Sequence, residues 1–113
     1  MADLVKLWKA PSPSCLYPEK EVREGFDPVN YPGLGVFLAT EKSVAEGFEK
    51  CYEKGLQEIP LSQAVFDTFV KQGILQADLY YPFGQAWHVP EDALEEFNEA
   101  LKSAGLGQYH PQK

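Results

Sequence analysis

Hydrophobic positions along this chain switch between a two-residue and a 3.6-residue period, and the switches mark its elements. Leu4-Val5-Lys6-Leu7-Trp8-Lys9-Ala10 reads as a strand with Val5 and Leu7 on one face, while Leu4 and Trp8 break strict alternation as in a strand covered on both sides; Pro11-Ser12-Pro13 ends it. Residues 19–24 form a short helix closed by Gly25 and thin in apolar side chains, followed by a loop dense in turn residues through Asp27-Pro28 and Tyr31-Pro32-Gly33. Gly33 and Gly35 allow a sharp entry into a strand over 36–39. Thr40 stands where an N-cap belongs, and a helix from Glu41 to about Lys54 lines up Val44, Phe48 and Tyr52 on one stripe, with Gly55 as its terminating residue.

The second half repeats the alternation. Residues 56–61 alternate apolar and polar as a half-buried strand, with Pro60 near its end or on an edge. Ser62 caps a second helix carrying Val65, Phe66, Phe69 and Val70, and Gly73 stops it. Residues 74–81 and 86–89 read as strands of a hairpin around Pro82-Phe83-Gly84. Pro90, then Glu91 and Asp92, open a last helix with the stripe Leu94, Phe97 and Leu101. Interleaved elements with short later spacers predict an α+β domain of small mixed, mostly antiparallel sheets and three main helices, not a doubly wound parallel sheet. Residues 1–107 form this single domain, its core including Phe48, Phe66, Phe69, Leu94, Phe97 and Leu101; residues 108–113 are a flexible tail.

Charge narrows the class of partner. At a net charge of −7, with ten basic residues scattered and Arg23 the only arginine, the chain lacks the basic surface that nucleic acid requires. The longest apolar run is too short to cross a bilayer and the first residues lack the features of a signal peptide, so no membrane partner and a cytoplasmic location are expected. Cys15 and Cys51 match no metal or redox spacing and read as two free thiols. No HxxxH, HExxH, CxxC or GxSxG pattern occurs, so neither a metal nor a serine nucleophile is expected. Leu38 stands where the third glycine of a GxGxxG loop would fall. The carboxylates Glu91, Asp92, Glu95, Glu96 and Glu99 read as a solvated helix face. His88, beside Trp87 on a strand, carries the imidazole that suits general acid/base work; Tyr80, Tyr81, Phe83 and Trp87 gather around a turn and suit a planar ring or a protein partner.

Three segments carry a family resemblance. Leu7-Trp8-Lys9-Ala10 is similar to an opening L-Y-R-G strand; residues 35–48 resemble a Gly-containing strand of the type G-[LV]-[YF]-[LF]-[TA]-[TS] running into an Ala- and aromatic-bearing helix; and Gly84-Gln85-Ala86-Trp87-His88-Val89-Pro90 with Leu94, Phe97 and Asn98 resembles a W-x-[IV]-P-x-x-x-[LI]-x-x-[FL]-N ending. In this order they resemble the compact ADP-ribosyltransferase-like domains of bacterial toxins and effectors, over most of residues 4–101. The resemblance implies a cleft between two small sheets that takes NAD. It assigns binding of that cofactor or substrate to Lys9, Phe37, Thr40 and Trp87, and catalytic positions to Gln85 and His88. The family places an acid where Gln85 and Ala86 stand, and an amide cannot offset the positive charge that develops as nicotinamide leaves. Either Asp78 or Glu91 supplies the acid, or the fold is kept without the reaction. The resemblance also implies a protein partner, a target or a cognate inhibitor. The alternative is a non-catalytic interaction module using the same cleft or the Tyr80 to Trp87 aromatic surface.

Overall fold

In a computed structural model that describes residues 3–33, 35–78 and 85–112, the chain runs β1 (Leu4–Lys9), α1 (Pro18–Glu24), β2 (Val36–Leu38), α2 (Lys42–Tyr52), β3 (Leu56–Ser62), α3 (Gln63–Gln72), β4 (Gln76–Asp78), β5 (Ala86–Val89), α4 (Leu94–Ala104) and β6 (Gln108–His110). Single 3-10 turns at Pro28–Asn30 and Glu91–Ala93 precede β2 and α4. The strands form two three-stranded sheets, β1-β3-β6 and β2-β5-β4, and all four strand pairs are antiparallel. The α+β class therefore holds. The four α-helices of the described residues are the three main ones expected and the short one read over 19–24, and no parallel pair occurs among the described residues.

The two sheets meet at one point. Trp8 and Ala39 exchange both backbone hydrogen bonds, at 2.7 and 2.9 Å, so that β1 and β2 touch there and part beyond it. The main core fills the space enclosed by Leu7, Ile59 and Leu61 of the first sheet and Val36, Leu38 and Val89 of the second, with Phe26, Phe97 and Leu101 between them. α4 seals this core through Leu94, Phe97 and Leu101, all buried as the stripe predicts. A smaller cluster of Ala10, Ala45 and Leu56, with Trp8, Phe48 and Tyr52 against it, attaches α2 to the first sheet.

Several local expectations are corrected. Residues 108–110, read as a loose tail, pair with Leu56–Glu58 as β6, and Tyr109 anchors that strand by donating its hydroxyl to the Lys54 carbonyl at 2.6 Å. Thr40 is exposed and lies one residue before the N-cap, which is Glu41 without a side-chain cap bond. α2 ends on Glu53 in the left-handed region (φ 58°), while Gly55 serves a close approach: a Cβ there would lie 2.2 Å from the His110 carbonyl oxygen. β3 is buried on both faces from Leu56 to Leu61, because α1 and α4 cover the side of Gln57 while Leu56 on the other side joins the α2 cluster. Phe48 and Phe66 are half-buried, and Phe69, Leu94, Phe97 and Leu101 are core. Ser62 caps α3 as expected, accepting from Val65 N–H at 3.2 Å, and Gly73 closes that helix in the left-handed region. The hairpin turn and Tyr80, Tyr81 and Phe83 lie outside the described residues.

Candidate functional site

Where β1 and β2 part, a cleft of about 290 Å³ opens between the sheets, its walls formed by Trp8, Lys9 and Ala10 of the first sheet's side, Phe37 and Leu38 of the second, the Asn30-Tyr31-Pro32 loop, and Val44, Ala45, Phe48 and Tyr52 of α2. Aromatic and aliphatic side chains dominate these walls, as in sites for a planar organic ring. A second groove of about 450 Å³, lined by Ser14, Cys15, Lys20, Glu21 and Asp27 among others, shares Ser12, Asn30 and Tyr31 with it. Tyr31 therefore borders both.

Lys9 stands at the cleft for a reason legible in the strand pairing. Cross-strand partners share a face, so Lys9 opposite Gln57 continues the inward face of Leu7 opposite Ile59, and Trp8 opposite Glu58 faces the other way. The ammonium consequently sits among rings, 5.3 Å from the centroid of Tyr31 and 5.8 Å from that of Phe26. No carboxylate oxygen of the described residues lies within 4.0 Å of it. Burial pushes its pKa below the ordinary lysine value of 10.5, and the charge of Glu21 pulls only partly against that.

Beneath Lys9 lies a polar cluster built on Glu21. This carboxylate, 9% exposed, accepts the Tyr31 hydroxyl at 2.6 Å on one oxygen and the Gln57 amide at 2.9 Å and the Cys15 thiol at 3.3 Å on the other. Burial, then the hydrogen bond and charge of Glu21, holds the Tyr31 phenol far above the ordinary tyrosine range; burial and Glu21 likewise raise the Cys15 thiol. Gln57, fully buried, also donates to the Pro18 carbonyl at 3.0 Å and leaves its own Oε1 without a partner. The loop bearing Tyr31 is tied down at both ends. Asn98 of α4 accepts from Phe26 N–H and donates to the Phe26 carbonyl, both at 2.8 Å, and Glu91 accepts from Gly33 N–H. Gly35 is obligatory here: at φ 75°, a Cβ would lie 2.0 Å from the Val89 carbonyl oxygen.

Of the residues expected at a site, Lys9 and Phe37 line the cleft together. His88 stands at its margin, its ring stacked on Phe37 at 4.6 Å between centroids. Trp87 points to the opposite face, edge-on to Phe66 at 5.2 Å and packed against the main core. Thr40 and Gln85 are exposed and outside the cleft walls. Glu91 is engaged by Gly33, and the side chain of Asp78 lies outside what the structure describes. Glu21, Tyr31 and Gln57 were not expected at a site. The carboxylate belongs to a helix with little apolar content, whose buried residues are Glu21 and Val22, and Tyr31 sits amid turn residues; neither pattern distinguishes them in sequence.

Among the described residues, no group of three or more His, Cys, Asp or Glu side chains could hold a metal ion, and no helix is long and apolar enough to cross a membrane. Both cysteines are free thiols. Compared with protein-family models, with curated proteins and with solved structures, the chain finds no match in any of the three.

Proposed function

We propose that this chain is an ADP-ribosyltransferase-like domain that binds NAD in the cleft between its two sheets and transfers from it weakly or not at all. The observation that carries the reading is Lys9: an amine without a carboxylate partner among the described residues, on the wall of an aromatic-lined cleft that opens where two small sheets part. A cleft of about 290 Å³ suits one ring, the nicotinamide, against Phe37 and Trp8. The groove beyond Tyr31 offers room for the remainder of the dinucleotide, with Lys9 reaching its ribose or phosphates. An anion entering the cleft favours the protonated amine and offsets the burial cost that Lys9 bears alone.

The acid side of the site argues against fast transfer. Glu21, the carboxylate whose charge acts on Lys9, already accepts three hydrogen bonds, and Gln85 is exposed and neutral. By analogy with oxyanion-hole deletions of opposite sign, lack of one preorganised charge at the reacting centre costs about 2.7–4 kcal/mol, a rate loss of about 100- to 1,000-fold. Calorimetric titration with NAD tests the reading. Saturable heat is expected from the native protein and its loss from Lys9→Ala and Phe37→Ala, with nicotinamide release near background. Absence of heat at millimolar NAD, or heat indifferent to both substitutions, overturns it.

A further inference from the structure

Lys9 differs from every other lysine that the structure describes. Lys6, Lys20, Lys42, Lys50, Lys71 and Lys102 are exposed, and Lys54, half-buried like Lys9, donates to the Cys15 carbonyl. With the described residues the Lys9 Nζ makes neither a hydrogen bond nor an ion pair; it lies over the rings of Tyr31 and Phe26 and within reach of the charge of Glu21. Gln57 Oε1 is the one fully enclosed side-chain polar atom without a partner among the described residues, so the equally unbonded Nζ keeps contact with the open space of the cleft that Lys9 lines. A desolvated amine in such a place is nucleophilic, because the free base, and not the ammonium, carries the lone pair. Burial, which lowers its pKa, enlarges that fraction near neutrality.

We propose that Lys9 is a nucleophile that condenses with a neutral planar aromatic aldehyde seated in the aromatic cleft, forming an imine. The walls select the class of carbonyl. Trp8, Tyr31, Phe37, Phe48 and Tyr52 make the lining largely aromatic, and an anionic carbonyl such as a keto acid would favour the protonated amine, which lacks the lone pair, so a neutral carbonyl suits the nucleophile. Size is adequate, since a cavity of about 150 Å³ lined by apolar side chains already holds benzene and this cleft is about 290 Å³. In the reaction the Nζ lone pair forms the C–N bond while the carbonyl π pair moves to oxygen. That oxygen gains a proton as the nitrogen loses one, giving a carbinolamine. Departure of the hydroxyl with one further proton as water leaves the C=N bond, so amine and aldehyde yield imine and water with no oxidant or reductant.

This activity does not require that NAD bind. The test uses the whole chain with benzaldehyde and cyanoborohydride near neutral pH, which reduces the imine to a stable benzyl adduct, followed by digestion and mass spectrometry. Adduct at Lys9 is expected several-fold above that at any exposed lysine and saturating with aldehyde concentration, with propanal in parallel showing a much smaller preference for Lys9. Benzyl adducts spread over the exposed lysines with Lys9 spared would overturn the nucleophile. Equal preference for Lys9 with both aldehydes would overturn the aromatic selection.

Discussion

Replacing Lys9 with methionine is expected to abolish ligand binding and, at the same time, to stabilise the fold. The side chain is nearly isosteric, fills the same space between Tyr31 and Phe26, and removes a charge that no carboxylate of the described residues pairs. Exchange of buried charge for an apolar group of similar volume commonly gains about 1–4 kcal/mol. Two cation–π contacts are lost, at 5.3 and 5.8 Å near the outer limit of such contacts; because Lys9 is half-buried and keeps some solvent, each is taken at about 0.5–1 kcal/mol. A thioether against the same rings returns a fraction of that. The balance is a stabilisation of about 0–3 kcal/mol at pH 7, read as a urea midpoint raised by up to about 1.5 M for a slope near 2 kcal/mol/M. The pH dependence carries the sign. Because the folded pKa of Lys9 lies below the unfolded value, the native state binds fewer protons between the two, and the wild type gains stability as pH rises through that window. The advantage of Lys9→Met therefore shrinks between pH 7 and about pH 10.5. A variant destabilised by more than about 1 kcal/mol, or an advantage that widens with pH, would refute the claim that Lys9 is buried at a cost.

Asn98→Ala removes both hydrogen bonds to the Phe26 backbone; at about 1–3 kcal/mol for each group left unpaired, it should lower stability by about 2–6 kcal/mol, and a urea midpoint equal to that of a Glu99→Ala control would show that the clamp contributes nothing. Burial and Glu21 hold the Tyr31 proton on in the folded state above the pH where an unfolded tyrosine loses it, so this phenol makes stability fall as pH rises past about 10. Spectrophotometric titration of the folded protein should accordingly give the same tyrosinate absorbance for the wild type and Tyr31→Phe up to about pH 11, and a lower signal in the variant would mean that Tyr31 ionises normally.

Elements whose ends carry local chemistry were legible in the sequence. Ser62 and Gly73 bracket α3, and the stripe Leu94, Phe97 and Leu101 marks α4, because a cap or an apolar period depends on neighbours within a turn or two. β3 departs from its half-buried pattern because its polar residues are buried by partners distant in sequence: Gln57 by Glu21 and Pro18, and Glu58 by Lys6 and His110. The same strand lifts 108–110 from tail to strand, since a short segment without apolar period acquires order from the edge it joins. At the cleft, Lys9 and Phe37 were reached through the family resemblance of the strands that bear them, which also offered Thr40 and Gln85 outside the walls, whereas Glu21 and Tyr31 take their meaning from each other.

That division follows from how the floor of the cleft is made. Its walls belong to strands, whose pairing fixes side-chain direction residue by residue, so a pattern in the sequence reaches as far as Lys9 and Phe37. Its floor is α1 and the loop after it, held by three long-range polar ties spanning 72 residues from Phe26 to Asn98, 58 from Gly33 to Glu91 and 36 from Glu21 to Gln57. Two of the three end just before α4 or within it. Asn98, the last residue of the ending that resembles the transferase-like domains, thereby acts structurally, since it positions the stretch of loop that carries Tyr31 beneath Lys9. Among the described residues the backbone hydrogen bonds that join the two sheets are those of Trp8 and Ala39, while the shared core of Leu7, Ile59, Leu61, Val36, Leu38 and Val89 packs one sheet on the other. A ligand seated between Lys9 and Phe37 therefore meets walls braced by that core, and the hydrogen bonds of Glu21 to Tyr31 and Gln57 hold the floor beneath the amine.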